Sequence, residues 1–187
     1  MSKKDILYIS GVHVISNKGF FNTRISDIIR VANLSTGTFY NYFKDKNDLL
    51  FNIFIDINNR FLRLFKSVSI INISSTSKIE LIIDGIFKEW SLNLDVFNIY
   101  KAESYNLSRI LDEDTIKKIN AIDYNSIFES IILDGQRSSE FKLINSTFII
   151  LITYSLVAES VISSTNNITH KVNIEEVKEF ILTTIKA

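Results

Sequence analysis

No proline interrupts the 187 residues of this chain, and only five glycines occur. Proline removes a backbone donor and breaks helices, so its absence lets long helices run. Apolar residues recur at three- and four-residue steps, as Leu49, Leu50, Ile53, Phe54 and Ile57 do, which is the pattern of an amphipathic helix. A β-rich fold fails on turn chemistry. No Asn-Gly or Asp-Gly pair separates alternating runs, and Asp84-Gly85 sits inside a helical pattern. The fold class is therefore all-α, with about nine helices.

Capping residues mark the helices. Ser2 with Asp5 opens a first helix that carries Leu7, Val14 and Ile15 on one face and stops at Gly19. Gly11 inside it costs roughly 1 kcal/mol relative to Ala. Two short helices fit at about 25–32 and 36–42, joined at Ala32-Asn33-Leu34-Ser35. Asp45 caps a long helix from Lys46, and Asp48 places negative charge where the helix dipole favours it. Residues 67–77 lose the periodicity and read as a connection, after which Ser77 and Glu80 form a capping box for a helix reaching about Asn93. Further helices are expected over 95–110, 112–135, 145–164 and 173–186. Their starts are marked by Asp95, Asp112-Glu113-Asp114, Asn145, and Asn173 with Glu176.

Composition narrows the function. Hydrophobic content of 46% and charged content of 22% fit a folded chain. With no cysteine there is no thiol nucleophile, disulfide or thiolate metal site. The two histidines, His13 and His170, lie in separate segments, so neither a metal nor a cofactor is expected. There is no Gly-rich phosphate loop and no Ser/His/Asp cluster, which argues against an enzyme. The first residues lack the apolar core of a secretory signal. The apolar run Phe148–Ala158 is shorter than the roughly 20 residues that span a bilayer. The expected location is cytoplasmic. Net charge is zero, yet residues 1–54 hold seven basic against four acidic side chains, a net of +3, and the remainder carries −3. A basic head on an acidic body fits a DNA-binding head on a partner-binding trunk.

The segment Leu34-Ser35-Thr36-Gly37-Thr38-Phe39-Tyr40-Asn41-Tyr42-Phe43-Lys44-Asp45-Lys46 carries the most chemistry. Asn33 tolerates the left-handed backbone of a helix-turn-helix, spanning about 24–43, and Ser35 can cap its second helix. Phe39 and Phe43, four apart, face inward. Gly37 admits a close backbone approach, and Thr36, Thr38 and Asn41 can contact bases or phosphates. Tyr40 and Tyr42 offer hydroxyls and ring edges, and Lys44 and Lys46 offer charge. Thr23 caps the first of the two helices in this reading and leaves Arg24 free for a phosphate. The competing reading is that these aromatic rings only pack a small head.

Gly19-Phe20, Thr23, Ile28, Ala32, Ser35, Gly37-Thr38-Phe39-Tyr40, Tyr42-Phe43, Lys46 and Asp48-Leu49 together resemble the TetR family of bacterial regulators over the first 55–60 residues. Arg24, Ile29 and Asn33 depart from its pattern, standing where a small hydroxyl, an alanine and a turn glycine are usual. The resemblance implies a three-helix DNA-binding head at 1–60. Behind it would lie a tetracyclin-repressor-like helical domain at 61–187 that binds an effector and dimerises. It also implies a double-stranded, palindromic operator, and repression relieved by a small molecule. Residues 129–141 are similar to a helix ending in relatives that sense fatty acyl thioesters or apolar drugs, which suggests an apolar effector. In the segments that usually surround the pocket lie Phe61, Phe65, Phe87, Trp90, Phe97, Tyr100, Glu103, Phe128 and Tyr154, which are either lining or ordinary core. The homodimer interface would use Phe148, Ile149, Ile152, Leu156 and Phe180 of the last two helices, unless the first of these is wholly an intrachain core helix. The other readings are a helical adaptor that keeps the head without reading DNA, and an enzyme using the trunk as a pocket.

Overall fold

The computed structural model describes residues 1–165 and 171–187, so His170 lies outside the described residues. It is all-α. Among the described residues the elements are α1 (Lys3–Lys18), α2 (Ile25–Ala32), α3 (Thr36–Tyr40), α4 (Lys46–Ser69), α5 (Ser75–Leu92) and α6 (Leu94–Glu103). A 3-10 turn (Ser104–Asn106) leads into α7 (Leu107–Ile110), α8 (Glu113–Asn120), α9 (Asn125–Arg137), α10 (Ser146–Thr165) and α11 (Ile174–Ile185). Nine of these helices have eight residues or more.

The helices form two compact units, Met1–Asn59 with Asn93–Ile122, and Arg60–Leu92 with Asp123–Ala187. A single boundary near residue 60 thus describes only the first of three crossings. Residues 93–122 pack with the amino-terminal helices, because α6 lies against α1. Helix α4 runs through the crossing at residue 59 without a break.

In the first unit, α1 is opened by the Ser2–Asp5 capping box, in which the Asp5 carboxylate accepts the Ser2 N–H at 2.8 Å. Leu7, Val14 and Ile15 are buried, and Gly19 ends the helix at φ +78°. Gly11 has a packing reason beside its propensity cost: a Cβ there would meet the Leu49 side chain of α4, which would have to shift. Tyr8 donates to Asp56 at 3.1 Å, a second tie between α1 and α4.

In the second unit, α5, α9, α10 and α11 pack on one another around Ile79, Ile82, Ile83, Ile86, Ile131 and Ile132, all buried. Phe141 lies over Gly135 of α9, where a Cβ would collide with its ring. The Glu140 carboxylate accepts the Ser75 and Thr76 N–H groups at 3.2 and 3.0 Å, satisfying first-turn donors of α5. The Thr76 N–H leads the groups that hold Glu140 below its ordinary value of 4.5. A depressed carboxyl contributes stability above its unfolded pKa and loses it as pH falls through the folded one. Glu140→Gln is therefore expected to lower the melting temperature at pH 7, with the difference shrinking as pH falls through the folded pKa of Glu140, below its ordinary value. Equal melting at pH 7 would contradict this role.

Several sequence boundaries shift. Helix α4 continues to Ser69 because Val68 is buried, and packing overrides its β-branched propensity. The connection shrinks to residues 70–74, and Ser74 takes the capping place assigned to Ser77, its Oγ accepting the Ser77 N–H at 3.1 Å. The helix expected over 95–110 breaks after Glu103. That expected over 112–135 breaks at residues 121–124, where Asp123 accepts the Ser126 N–H at 3.0 Å and buried Tyr124 turns inward. The caps at Asp112, Asn145 and Asn173 stand as expected. Helix α10 has 20 residues and an 18-residue window of mean hydropathy 1.6, long and apolar enough by composition to cross a membrane, unlike the shorter run read from the sequence. Within its unit it buries Ile149, Ile150, Thr153, Val157 and Val161 against α5, α9 and α11, as a core helix does.

Candidate DNA-reading site

The turn between α2 and α3 is built as the sequence required. Asn33 adopts the left-handed conformation (φ 52°, ψ 46°) that only a short polar side chain or glycine takes readily. Ser35 is extended, and its Oγ accepts the Thr38 N–H at 3.2 Å. Phe39 and Phe43 are fully buried with ring centroids 5.7 Å apart, which fixes the helix on its inner side. On the outer side Ser35, Thr36, Gly37, Tyr40, Asn41, Tyr42 and Lys44 are exposed, and Thr38 is half-buried. Tyr40 leaves 54% of its surface open while its ring edge rests on Phe39 at 5.6 Å, so an exposed aromatic is held by a buried one. Gly37 has no positive φ, and a Cβ there would meet nothing nearer than Ser35 Oγ at 4.0 Å. The interior does not require this glycine. A close approach from outside would.

Two residues of the sequence reading are placed elsewhere. Thr23 is buried, and its hydroxyl donates to the Gly19 carbonyl at 2.8 Å, so it neither caps α2 nor faces outward. Asp27 takes over the capping, its carboxylate accepting the Arg24 N–H at 3.1 Å. That bond, followed by the Lys18 ammonium at 3.0 Å, holds Asp27 below the usual carboxylate range. Arg24 makes no side-chain cap and is exposed. Lys46 is turned inward, donating from Nζ to the Phe20 and Thr23 carbonyls at 2.6 and 2.8 Å and lying 4.2 Å from the Phe20 ring centroid. Burial pushes its ammonium pKa down, partly offset by the Glu103 carboxylate. The sequence reading missed Lys4, whose Nζ stands 6.0 Å from the Phe43 ring. The signal was its place beside the first cap, too short a pattern to connect with residue 43.

The residues offered for an effector pocket fall into both units. Phe61, Phe65, Trp90 and Phe128 belong to the second, where they pack around Tyr124. Phe65 stacks on Tyr124 at 5.5 Å and on Phe128 at 5.6 Å, and Phe61 meets Trp90 edge-on at 5.0 Å. Tyr154 approaches Phe128 at 6.3 Å, with its hydroxyl donating to Asn125 at 2.8 Å, and Phe87 is half-buried. In the first unit, Phe97 is buried, Tyr100 stacks on Phe54 at 5.2 Å, and Glu103 is buried against the loop after α1. The nine residues are thus not one lining within either unit.

Of the residues offered for pairing, Phe148 and Phe180 are exposed and Ile152 and Leu156 half-buried. Ile149 is buried in the core of its own unit and is replaced on the open face by Leu151, 59% exposed. An α10 that is apolar all round gave no phase by which to tell the two apart.

Residues 10–53 match the family model described as bacterial regulatory proteins, tetR family. The chain is 28% identical over 135 residues to a fatty acid metabolism regulator protein of Bacillus subtilis (strain 168), covering 71% of this chain and 68% of that one. The fold is similar to that of a bacterial regulatory protein in the tetR family from Rhodococcus RHA1, with TM-score 0.87 and 16% identity over 100% of this chain and 98% of the other. It is also similar to the transcriptional regulator FadR from Bacillus subtilis in complex with stearoyl-CoA, with TM-score 0.75 and 21% identity over 97% and 98% of the two chains.

Proposed function

We propose that this chain, whose residues 10–53 match the tetR family model, is a TetR-type homodimeric repressor released from a palindromic operator by a long-chain fatty acyl thioester. The observation that carries the DNA-reading part is the outer face of α3 and the turn after it. There Tyr40, Asn41, Tyr42 and Lys44 are exposed on a backbone anchored by buried Phe39 and Phe43. Rigid presentation of hydroxyls, an amide and an ammonium suits phosphate positioning and base-edge contact. Arg24, Ser35, Thr36, Gly37 and Thr38 complete that surface, and Lys4 joins it. Two copies would read half-sites one helical turn apart, about 34–36 Å. The second copy would pair through the open apolar faces of α10 and α11, with Phe148, Leu151 and Phe180. Such a protein works where the chromosome is, in the cytoplasm.

An acyl effector is supported by the relative named for fatty acid metabolism and by the stearoyl-CoA complex of a similar fold. The many aromatic and isoleucine side chains of the second unit suit an apolar tail. Release would follow if the effector binds better to a state with the wrong head spacing. The test is a duplex that the wild-type protein selects from a random-sequence pool, bound and then titrated with stearoyl-CoA. Selection of a palindrome that stearoyl-CoA displaces is the expected result. No selected sequence would overturn the regulator reading, and binding indifferent to stearoyl-CoA would overturn the effector.

A further inference from the structure

The loop Gly19–Thr23 joins α1 to α2 and so sets where the helix-turn-helix begins. It is held from two sides. Lys46, the first residue of α4, donates to the carbonyls of Phe20 and Thr23 at 2.6 and 2.8 Å. Glu103, the last residue of α6, accepts the Phe20 N–H at Oε1 over 3.4 Å. Glu103 is 95% buried, and its Oε2 has no hydrogen-bond partner among the described residues. A buried carboxylate with one long bond and one bare oxygen is costly unless a cation lies near. Lys46 reaches the same residue from its other side, donating to the Phe20 carbonyl while Glu103 accepts the Phe20 N–H.

We propose that Lys46 and Glu103 are positioning residues for DNA reading, a cation and a carboxylate that clamp the Phe20 backbone between the ends of α4 and α6. The clamp rests on the DNA-reading assignment above, and it puts α6 in direct contact with the loop that aims α2 and α3. At 3.4 Å the Glu103 bond stands near the limit of a hydrogen bond, so a small withdrawal of the α6 terminus frees the Phe20 amide. Lys46 then acts from inside the head, with its ammonium spent on backbone carbonyls.

A cation and a carboxylate that share one backbone segment have a diagnostic response to mutation. Removing one partner strands the other charge, whereas removing both is less damaging. Lys46→Met is expected to weaken binding to the selected duplex about 10- to 100-fold, as loss of about 1.4–2.8 kcal/mol would. Adding Glu103→Gln to it is expected to recover about tenfold. Multiplying losses in the double variant would overturn the clamp. A second readout needs no DNA and no Lys46 variant, namely hydrogen exchange at the Phe20 amide. Glu103→Gln alone is expected to speed that exchange at least about threefold beyond any change at the other protected amides of the first unit, because it weakens the acceptor of this one bond. Unchanged exchange would overturn the role of Glu103. If the wild type selects no duplex, the DNA-reading assignment fails while the exchange measurement still judges the clamp.

Discussion

Phe65→Ala is expected to cost the second unit about 3–5 kcal/mol. Phe65 is fully buried and stacks on both Tyr124 and Phe128, with interplanar angles of 8° and 23°. Truncation removes the burial of one ring, two stacked contacts, and the support that turns Tyr124 inward at the break between α8 and α9. The cavity would be lined by rings already in contact with other rings, which limits its collapse. The readout is built in, since Trp90 is the chain's one tryptophan and reaches Phe61 of the same cluster at 5.0 Å. Urea unfolding followed by its fluorescence should show the full loss, and Phe65→Leu should lose less than half as much. A loss under about 1 kcal/mol in Phe65→Ala would mean that the cluster is loosely packed.

The second large effect falls on the head. Phe39 is fully buried, edge-on to Tyr40 at 5.6 Å and tilted against Phe43 at 5.7 Å. Helix α3 has only five residues, too few to hold its shape by backbone bonds alone. Its geometry therefore depends on the Asn33 turn, the Ser35 cap and the Phe39 anchor. Phe39→Ala is expected to weaken binding to the selected duplex more than about 100-fold, since about 3 kcal/mol of packing is lost where the contact surface is aimed. Phe39→Leu keeps most of the volume and should stay within about tenfold. Affinity within threefold for Phe39→Ala would show that α3 is not oriented by its inner ring.

The difference between what the sequence disclosed and what it concealed follows the range of the interactions. Caps are local, and Ser2 with Asp5, Ser35, Asp112 and Asn173 with Glu176 act within three residues, so they marked helix starts correctly. Asn33 at a helix-turn-helix could be assigned its backbone from side-chain chemistry alone. Lys46 could not be placed, because its partners depend on folding, whereas Thr23 turned back to the Gly19 carbonyl four residues away, a local alternative to capping that its side-chain chemistry does not distinguish. Lys46 reaches back 26 residues to Phe20, and nothing in its own neighbourhood distinguishes an inward lysine from an outward one. Glu103 looked like a polar group for a ligand and is instead bound to an amide 83 residues away. Gly11 illustrates the same limit, since propensity made it a fault and Leu49 makes it a fit.

The central claim is that the exposed face around α3 grips a DNA backbone, and the salt dependence of duplex binding tests it most directly. Each phosphate neutralised contributes about 0.9 to the slope of log affinity against log salt. Lys44 is exposed, and under the proposed function its ammonium would meet one phosphate in each head. Titrations of the selected duplex at a series of salt concentrations should show a steep fall for the wild type. Lys44→Ala should give a slope shallower by about 1.8 in the dimer, with little change in sequence preference. A wild-type affinity that does not change with salt, or a Lys44→Ala slope equal to the wild type's, would contradict the account.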